Sequence, residues 1–402
     1  MHLTSPWRQH FPCFELFDQQ GVTYLDSAAT AQKPHILLQV LQQHYASGVA
    51  NVHRAQHALA NRITAELEQA RATVLQWLGA TDNDQLIFTK GATDALNLVC
   101  HGLSHLFQPG DEIAVSLYEH HANLIPWQQL CQRLQLKLVV LPFNSSGALD
   151  PIAAKQLITP NTKLLALSPL SNVFGITQDL TPTLQHAKQC GALRVLDCTQ
   201  YAVHQRIDQQ LLQHCDFLAL SSHKLFGPDG VGILWASQAQ HSLLHPYQFG
   251  GEMVAHCSIE QSSFLPAPLG FEPGTPNIAG ILAFAKVLQW LADLDQTAIQ
   301  HYEQALHQQL IEGLEQRAVK FAGSPNCALA SFSHPQVHSA DIATLLAEQG
   351  VAIRAGSHCA QPLLKALGAE QGLLRVSLGF YNDSQDLTRF FSAYDAALEL
   401  LL

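Results

Sequence analysis

Between residues 85 and 235 the chain sets down short apolar runs at nearly regular intervals. They are Leu86-Ile87-Phe88, Glu112-Ile113-Ala114-Val115, Leu138-Val139-Val140-Leu141, Leu164-Leu165-Ala166-Leu167, Arg194-Val195-Leu196, Phe217-Leu218-Ala219-Leu220 and Gly232-Ile233-Leu234-Trp235. Runs that stay apolar, rather than alternating with polar residues, suit strands buried on both faces. Helix-length stretches such as 94–107 and 180–190 separate most of them. The alternation predicts an α/β fold: a mostly parallel seven-stranded sheet sandwiched by helices.

The flanks read differently. Tyr24-Leu25-Asp26-Ser27-Ala28-Ala29-Thr30 is a short strand running into a small-residue turn, and Asn51-Val52-His53-Arg54 is a polar knot between helical stretches. The helical period of 64–78 places Glu66, Glu68 and Arg71 on its polar side. Beyond 280, long helices are predicted over 281–294 and 302–314. Shorter alternating segments follow at 328–332 and 374–378, with helices over 339–348 and 385–402. This texture predicts a smaller α+β domain over 281–402, a large domain over 21–280, and an N-terminal segment, 1–20, packed on the small domain.

Composition narrows the partners. Net charge is −11, with no basic tract, which argues against nucleic acid and anionic membrane. Only 13% of residues are charged, compatible with a sizeable buried oligomer interface. No stretch reaches the ~18 apolar residues of a membrane helix and the N-terminus carries no apolar run, so a cytoplasmic protein is expected. Nine cysteines lie scattered without a Cys-x-x-Cys pair, which argues against a disulfide framework or a zinc site. Most are expected to be buried thiols.

Candidate chemistry clusters at strand ends. In such sheets ligands bind outside the carboxyl ends of the strands. There the chain places Gly91-Ala92-Thr93, Glu119-His120-His121-Ala122-Asn123, Ser171-Asn172, Asp197 with Gln200, and Ser221-Ser222-His223-Lys224. The turn at Gly91 opens a helix, whose free N–H groups and dipole suit an anion. A partly desolvated lysine has a lowered pKa, so the neutral amine of Lys224 could attack a carbonyl and form a Schiff base. A surface lysine on a loop and a lone structural histidine or aspartate are the bland alternatives, weakened by the convergence of five polar clusters on one sheet edge.

Asp197-x-x-Gln200, Ser221-x-His223-Lys224 and Glu119-His120-His121-Ala122-Asn123 together resemble the class V, fold-type I pyridoxal 5'-phosphate (PLP) enzymes. Arg354-Ala355-Gly356-Ser357-His358-Cys359-Ala360-Gln361-Pro362 narrows the resemblance to group II, Suf- and Csd-type, cysteine desulfurases. The similarity spans nearly the whole chain, through Glu272-Pro273-Gly274-Thr275-Pro276-Asn277 to Arg375. It implies that Lys224 holds PLP and moves the substrate Cα proton, that Asp197 pairs with the ring nitrogen, and that Gln200 bonds the ring's phenolate oxygen. It implies that His121 stacks on the ring, that Ala92, Thr93, Ser221 and His223 hold the phosphate, and that Thr275 reaches the phosphate of a homodimer partner. Arg375, helped by Asn172, would clamp the substrate carboxylate, with Arg354 and His53 also at the substrate. Cys359, in a polar and positive loop of the kind that favours thiolate, would take sulfur from L-cysteine as a persulfide and pass it to an acceptor protein, as in iron–sulfur cluster assembly. Cys198, Ser222 and Phe174 depart from the family pattern, and Phe174 is expected to reshape the substrate pocket. Selenocysteine lyase, cysteine-sulfinate desulfinase and class V aminotransferase chemistry are alternatives on the same fold, and a non-catalytic sulfur-carrier-binding subunit is the remote one.

Overall fold

Residues 2–54, 56–81 and 83–402 are described in a computed structural model. The seven apolar runs form one sheet: β1 (Gln85–Thr89), β2 (Glu112–Ser116), β3 (Lys137–Leu141), β4 (Thr162–Leu167), β5 (Leu193–Asp197), β6 (Phe217–Ser221) and β7 (Gly232–Ala236). Their order is β1-β7-β6-β5-β4-β2-β3, parallel except for β7, which runs against both neighbours. Side chains of one strand feed two cores. Leu218 and Leu220 of β6 join one apolar cluster while Phe217 and Ala219 join the other. That two-sided burial is why the middles of the strands are unbroken apolar runs.

The reversed strand sets the floor of the site. Thr89 of β1 and Ser221 of β6 are both register partners of Gly232. The two strand ends therefore lie level, one residue pair either side of β7. A Cβ on Gly232 would sit 2.4 Å from the Gly91 Cα, so only glycine lets the turn after β1 cross here.

Beyond this sheet, the helix Ile278–Asp293 puts Ile281, Phe284 and Leu288 into the apolar cluster shared with the helix Ala58–Leu78. After Asp293 the texture changes. A four-stranded antiparallel sheet, ordered Lys320–Phe321, Leu329–Ser333, Leu373–Ser377, Arg354–Gly356, packs with the helices Gln296–Glu315, Ser339–Glu348 and Ser384–Leu401. The N-terminal segment lies against this part: Ser5 Oγ donates to Phe380 O at 2.6 Å and Arg8 pairs with Asp386 at 3.0 Å. The short strand Thr23–Tyr24 pairs with Val351–Ala352.

Two sequence expectations are corrected, and the expectation that most cysteines are buried thiols holds. Arg71 is buried, not on a solvent face, because Glu272 and Glu68 meet its guanidinium. Phe174 is buried against Tyr118 and Phe143, away from the site, so it does not shape a substrate pocket. Cys100, Cys131, Cys198, Cys215 and Cys327 are buried thiols, but Cys257 is exposed on the hairpin formed by Val254–Cys257 and Ser262–Phe264. No described helix is long and apolar enough to cross a membrane.

Candidate active site

The carboxyl ends of β1, β4, β5 and β6 open on a cavity of about 270 Å³. Ala92 and Thr93 line it from the first turn of the helix Ala92–Gly102, and Ser221, His223 and Lys224 from the end of β6. Ser221 Oγ accepts the Ala92 N–H at 2.8 Å, tying the two phosphate-type elements together. The helix N-terminus supplies further N–H groups and a positive dipole end. Burial pushes His223 down to about 4, with Lys224 and Lys33 adding to the shift, so its ring is neutral at neutral pH.

Asp197 ends β5 and is 7% exposed. Burial raises its carboxyl, against the Thr199 hydrogen bond and the nearby Lys224 charge. It forms no ion pair within contact distance among the described residues. Lys224 is lowered to about 8, first by burial, then by Arg375, with Asp197 opposing. An amine in that range is a competent nucleophile and base near neutral pH. Gln200 donates to Ala28 O at 2.8 Å, while its own Oε1 and the Thr199 hydroxyl are buried without partners.

The opposite wall comes from the C-terminal part. Arg354 and Arg375 are register partners on adjacent antiparallel strands, and both line the cavity. Like charges directly opposite each other destabilise a sheet, so their placement points to an anion. Arg375 is 2% exposed. Its Nη2 donates to Asp26 at 3.0 Å and its Nη1 to Asn172 O at 3.2 Å, while Nε is buried and unpartnered. Burial lowers its guanidinium pKa and Asp26 pushes it back.

Cys359 sits on the loop between these strands. His358 and Cys359 both have left-handed backbone, φ 50° and 57°, uncommon for non-glycine residues. Three bonds hold the loop: Asn172 Nδ2 to His358 O at 2.7 Å, His358 Nε2 to Leu373 O at 2.9 Å, and His121 N–H to Cys359 O at 2.8 Å. The Asn172 amide expected at the carboxylate therefore already holds the cysteine loop. Cys359 itself is half-buried and lines the cavity.

Not every expected residue arrives. His121, expected to stack on the ring, does not line the cavity; the neighbouring His120 does. His120 is extended and His121 begins a tight turn; their ring centroids lie 6.3 Å apart with the planes tilted by 49°. Burial takes His120 down to about 3, with Lys224 and His121 next. Thr275 and His53 are exposed and outside this cavity; His53 lies 3.6 Å from Glu68. Two residues had no role in the sequence reading. Asp26 supports Arg375, and its only sequence signal was its place before the small-residue turn. Glu119, 1% exposed and pushed to about 7 by burial, takes hydrogen bonds from Ser116, Ser168 and Asn123 beside His120.

A buried acid lacking a base, an amide oxygen and a hydroxyl lacking donors, a helix N-terminus and a partly neutral lysine surround one space. That set fits PLP: a ring nitrogen for Asp197, polar ring substituents for Gln200 and Thr199, a phosphate for the Ala92–Thr93 turn, an aldehyde for Lys224. Fold and site define a PLP-dependent enzyme.

The family profile Aminotransferase class-V matches residues 23–390. A probable cysteine desulfurase of Pseudomonas putida is 54% identical over 402 residues, all of both chains. Cysteine desulfurase CsdA of Escherichia coli is 41% identical over 407 aligned residues, again all of both. The crystal structure of CsdA in its S-sulfonic acid form matches with a TM-score of 0.91 at 40% identity, covering 98% of each chain. An apo cysteine desulfurase of Thermococcus onnurineus matches at 0.92 and 31%, covering 99% of each. The chain belongs to the class-V aminotransferases, among the Csd-type cysteine desulfurases.

Proposed function

We propose that the protein converts L-cysteine to L-alanine, takes the sulfur onto Cys359 as a persulfide, and passes it to an acceptor protein. The observation that carries this reading is that Cys359 shares one cavity with Lys224, Asp197 and Arg375. PLP, when bound, supplies the electron sink that makes the substrate Cα–H acidic. Asp197 would keep the ring nitrogen protonated. Ala92, Thr93, Ser221 and His223 would hold the phosphate, Gln200 the ring oxygen, and His120, rather than His121, would meet the ring. Lys224 would carry the cofactor and move the Cα proton. Arg375 holds the substrate carboxylate through its free Nε edge, with Arg354 opposite it. The Cys359 thiolate attacks the substrate sulfur; an S–S bond forms, the C–S bond breaks with its electron pair going to carbon, and protonation yields L-alanine. L-Cysteine plus a thiol gives L-alanine plus a persulfide, with no outside oxidant.

The exposure of Thr275 and His53 outside their own chain's cavity supports a homodimer in which each serves the partner's site. The change of texture after Asp293 supports a division into a large PLP-binding part and a small part carrying the Cys359 loop, with Asn172 and His121 of the large part bonding that loop. Nine free cysteines suit a reducing cytoplasm. Cysteine sulfinate is a second reading. Arg354 has no ion-pair partner among the described residues and sits beside Arg375, so a second anionic group has a cation to meet.

The test is incubation of PLP-loaded protein with L-cysteine, measuring alanine, sulfide and the mass of the Cys359 peptide. Alanine with one added sulfur on that peptide is expected, and Cys359→Ala removes both. Absence of alanine sinks the proposal. Retained turnover of cysteine sulfinate or selenocysteine in Cys359→Ala favours the second reading.

A further inference from the structure

The turn at residues 26–33, which precedes the large sheet in the chain, meets the site at three points. Asp26 holds Arg375 at 3.0 Å. Ala28 O accepts the Gln200 amide at 2.8 Å. The third point is the carbonyl of His223, the residue directly before Lys224. It accepts the Ala31 N–H at 3.0 Å, the Thr30 hydroxyl at 3.2 Å and the Lys33 ammonium at 2.9 Å. Lys33 also reaches the Thr30 hydroxyl at 3.4 Å, and the Tyr24 hydroxyl donates to Thr30 O at 2.7 Å.

A peptide carbonyl offers two lone pairs, so three donors saturate this oxygen. Local structure gives Lys224 little support of its own. It ends a single tight turn, Ser222–Lys224, and Phe226, two residues on, has left-handed backbone at φ 58°. Lys33 is half-buried. Burial lowers its amine to about 8, with Asp229 opposing. A lysine ordinarily keeps its ammonium in water, because desolvating the charge is costly. This one turns it inward, onto the peptide bond that leads into Lys224.

We propose that Lys33 is a positioning residue for Lys224: with Thr30 and Ala31 it clamps the His223–Lys224 peptide, so that the Lys224 amine reaches both the cofactor aldehyde and the substrate Cα proton from one fixed root. A catalytic group displaced by about 1 Å can lose about 100-fold in rate, which is the need such a clamp meets. Through Asp26 the same turn steadies Arg375, so it sets the amine against the carboxylate grip. The proposal rests on the reading of Lys224 as the cofactor lysine.

Lys33→Met removes the ammonium and keeps the length of the side chain. Uptake of PLP by the apoprotein, followed as growth of the lysine–PLP absorbance, is expected to slow about tenfold or more. The kcat for L-cysteine is expected to fall about 10- to 100-fold, with KM within about twofold because Arg375 still holds the substrate. Thr30→Val removes one hydroxyl donor at nearly constant volume. It is expected to move both rates the same way by a smaller factor, and it decides the matter if the Lys33 variant fails to fold. Parent rates of uptake and turnover in both variants, even at a lowered Tm, overturn the proposal, as does a raised KM with unchanged kcat. If the parent takes up PLP without making alanine, the desulfurase reading fails and the uptake rates alone decide this one. A parent that takes up no PLP overturns the cofactor reading and the proposal with it.

Discussion

Replacing Glu272 with glutamine should weaken the protein measurably and loosen its hold on PLP. Arg71 and Glu272 face each other with side chains 6% and 7% exposed. Arg71 Nη1 and Nη2 donate to Glu272 Oε1 and Oε2 at 2.7 and 2.9 Å. Glu272 Oε1 also accepts the Phe88 N–H at 2.7 Å, and the guanidinium lies 4.6 Å over the Phe88 ring. Glutamine keeps one acceptor, sets an NH₂ against Nη2, and leaves a buried cation without its main counter-charge. Removing one partner of a buried pair costs about 3–5 kcal/mol. Glu68 still reaches Arg71 Nε at 3.0 Å, but it is 44% exposed, so the low end, about 3 kcal/mol, is the expectation. At about 2.1 cal/mol/K per residue, 402 residues give an unfolding entropy of about 0.8 kcal/mol/K, hence a fall in Tm of about 4 °C. The same carboxylate holds Phe88, in the strand leading to Gly91 and Thr93, and lies two residues before Gly274-Thr275. PLP content after dialysis should therefore fall as well. Scanning fluorimetry of apo and PLP-loaded forms, with absorbance for cofactor content, checks both. Arg71→Met with Glu272→Met should cost less than the two single changes added, since neither charge is then stranded. A Tm within about 1 °C of the parent for Glu272→Gln would refute the reasoning.

Other outcomes follow from the same geometry. His120→Ala should lower kcat strongly while His121→Ala leaves it near the parent value; equal effects would return the ring-stacking role to His121. Arg375→Lys loses the planar two-point grip, so KM for L-cysteine should rise about 10- to 100-fold, or about 1.4–2.8 kcal/mol; a change under about twofold counts against the carboxylate assignment. In the apoprotein, Lys224 is lowered to about 8 by burial, so above that pH the unfolded chain binds a proton there that the folded chain has shed. Its stability penalty is full below pH ~8 and fades toward the ordinary lysine value of about 10.4. Apoprotein Tm should thus gain more between pH 8 and 10 than Lys224→Met does, and parallel curves would contradict the lowered pKa.

The amino-acid order alone determined the sheet and most of the chemistry around it. Strands buried on both faces must be apolar through their middles, so Phe217–Ser221 and its companions were legible as unbroken runs. Polar groups directly after such runs fall on one edge by the rule of parallel sheets, which exposed Lys224, Asp197 and the Gly91 turn. What stayed hidden depends on direction and on distant partners. His120 and His121 are neighbours with tilted rings, and only His120 lines the cavity, because the backbone passes from extended to turn between them. Arg71 has the spacing of a solvent-facing residue, and only the arrival of Glu272, some 200 residues later, makes burial tolerable. Arg375 takes its aim from Asp26, and the Cys359 loop from Asn172 and His121, all brought together across the chain. Local periodicity encodes which residues avoid water; which side chain faces which is settled only when the elements pack.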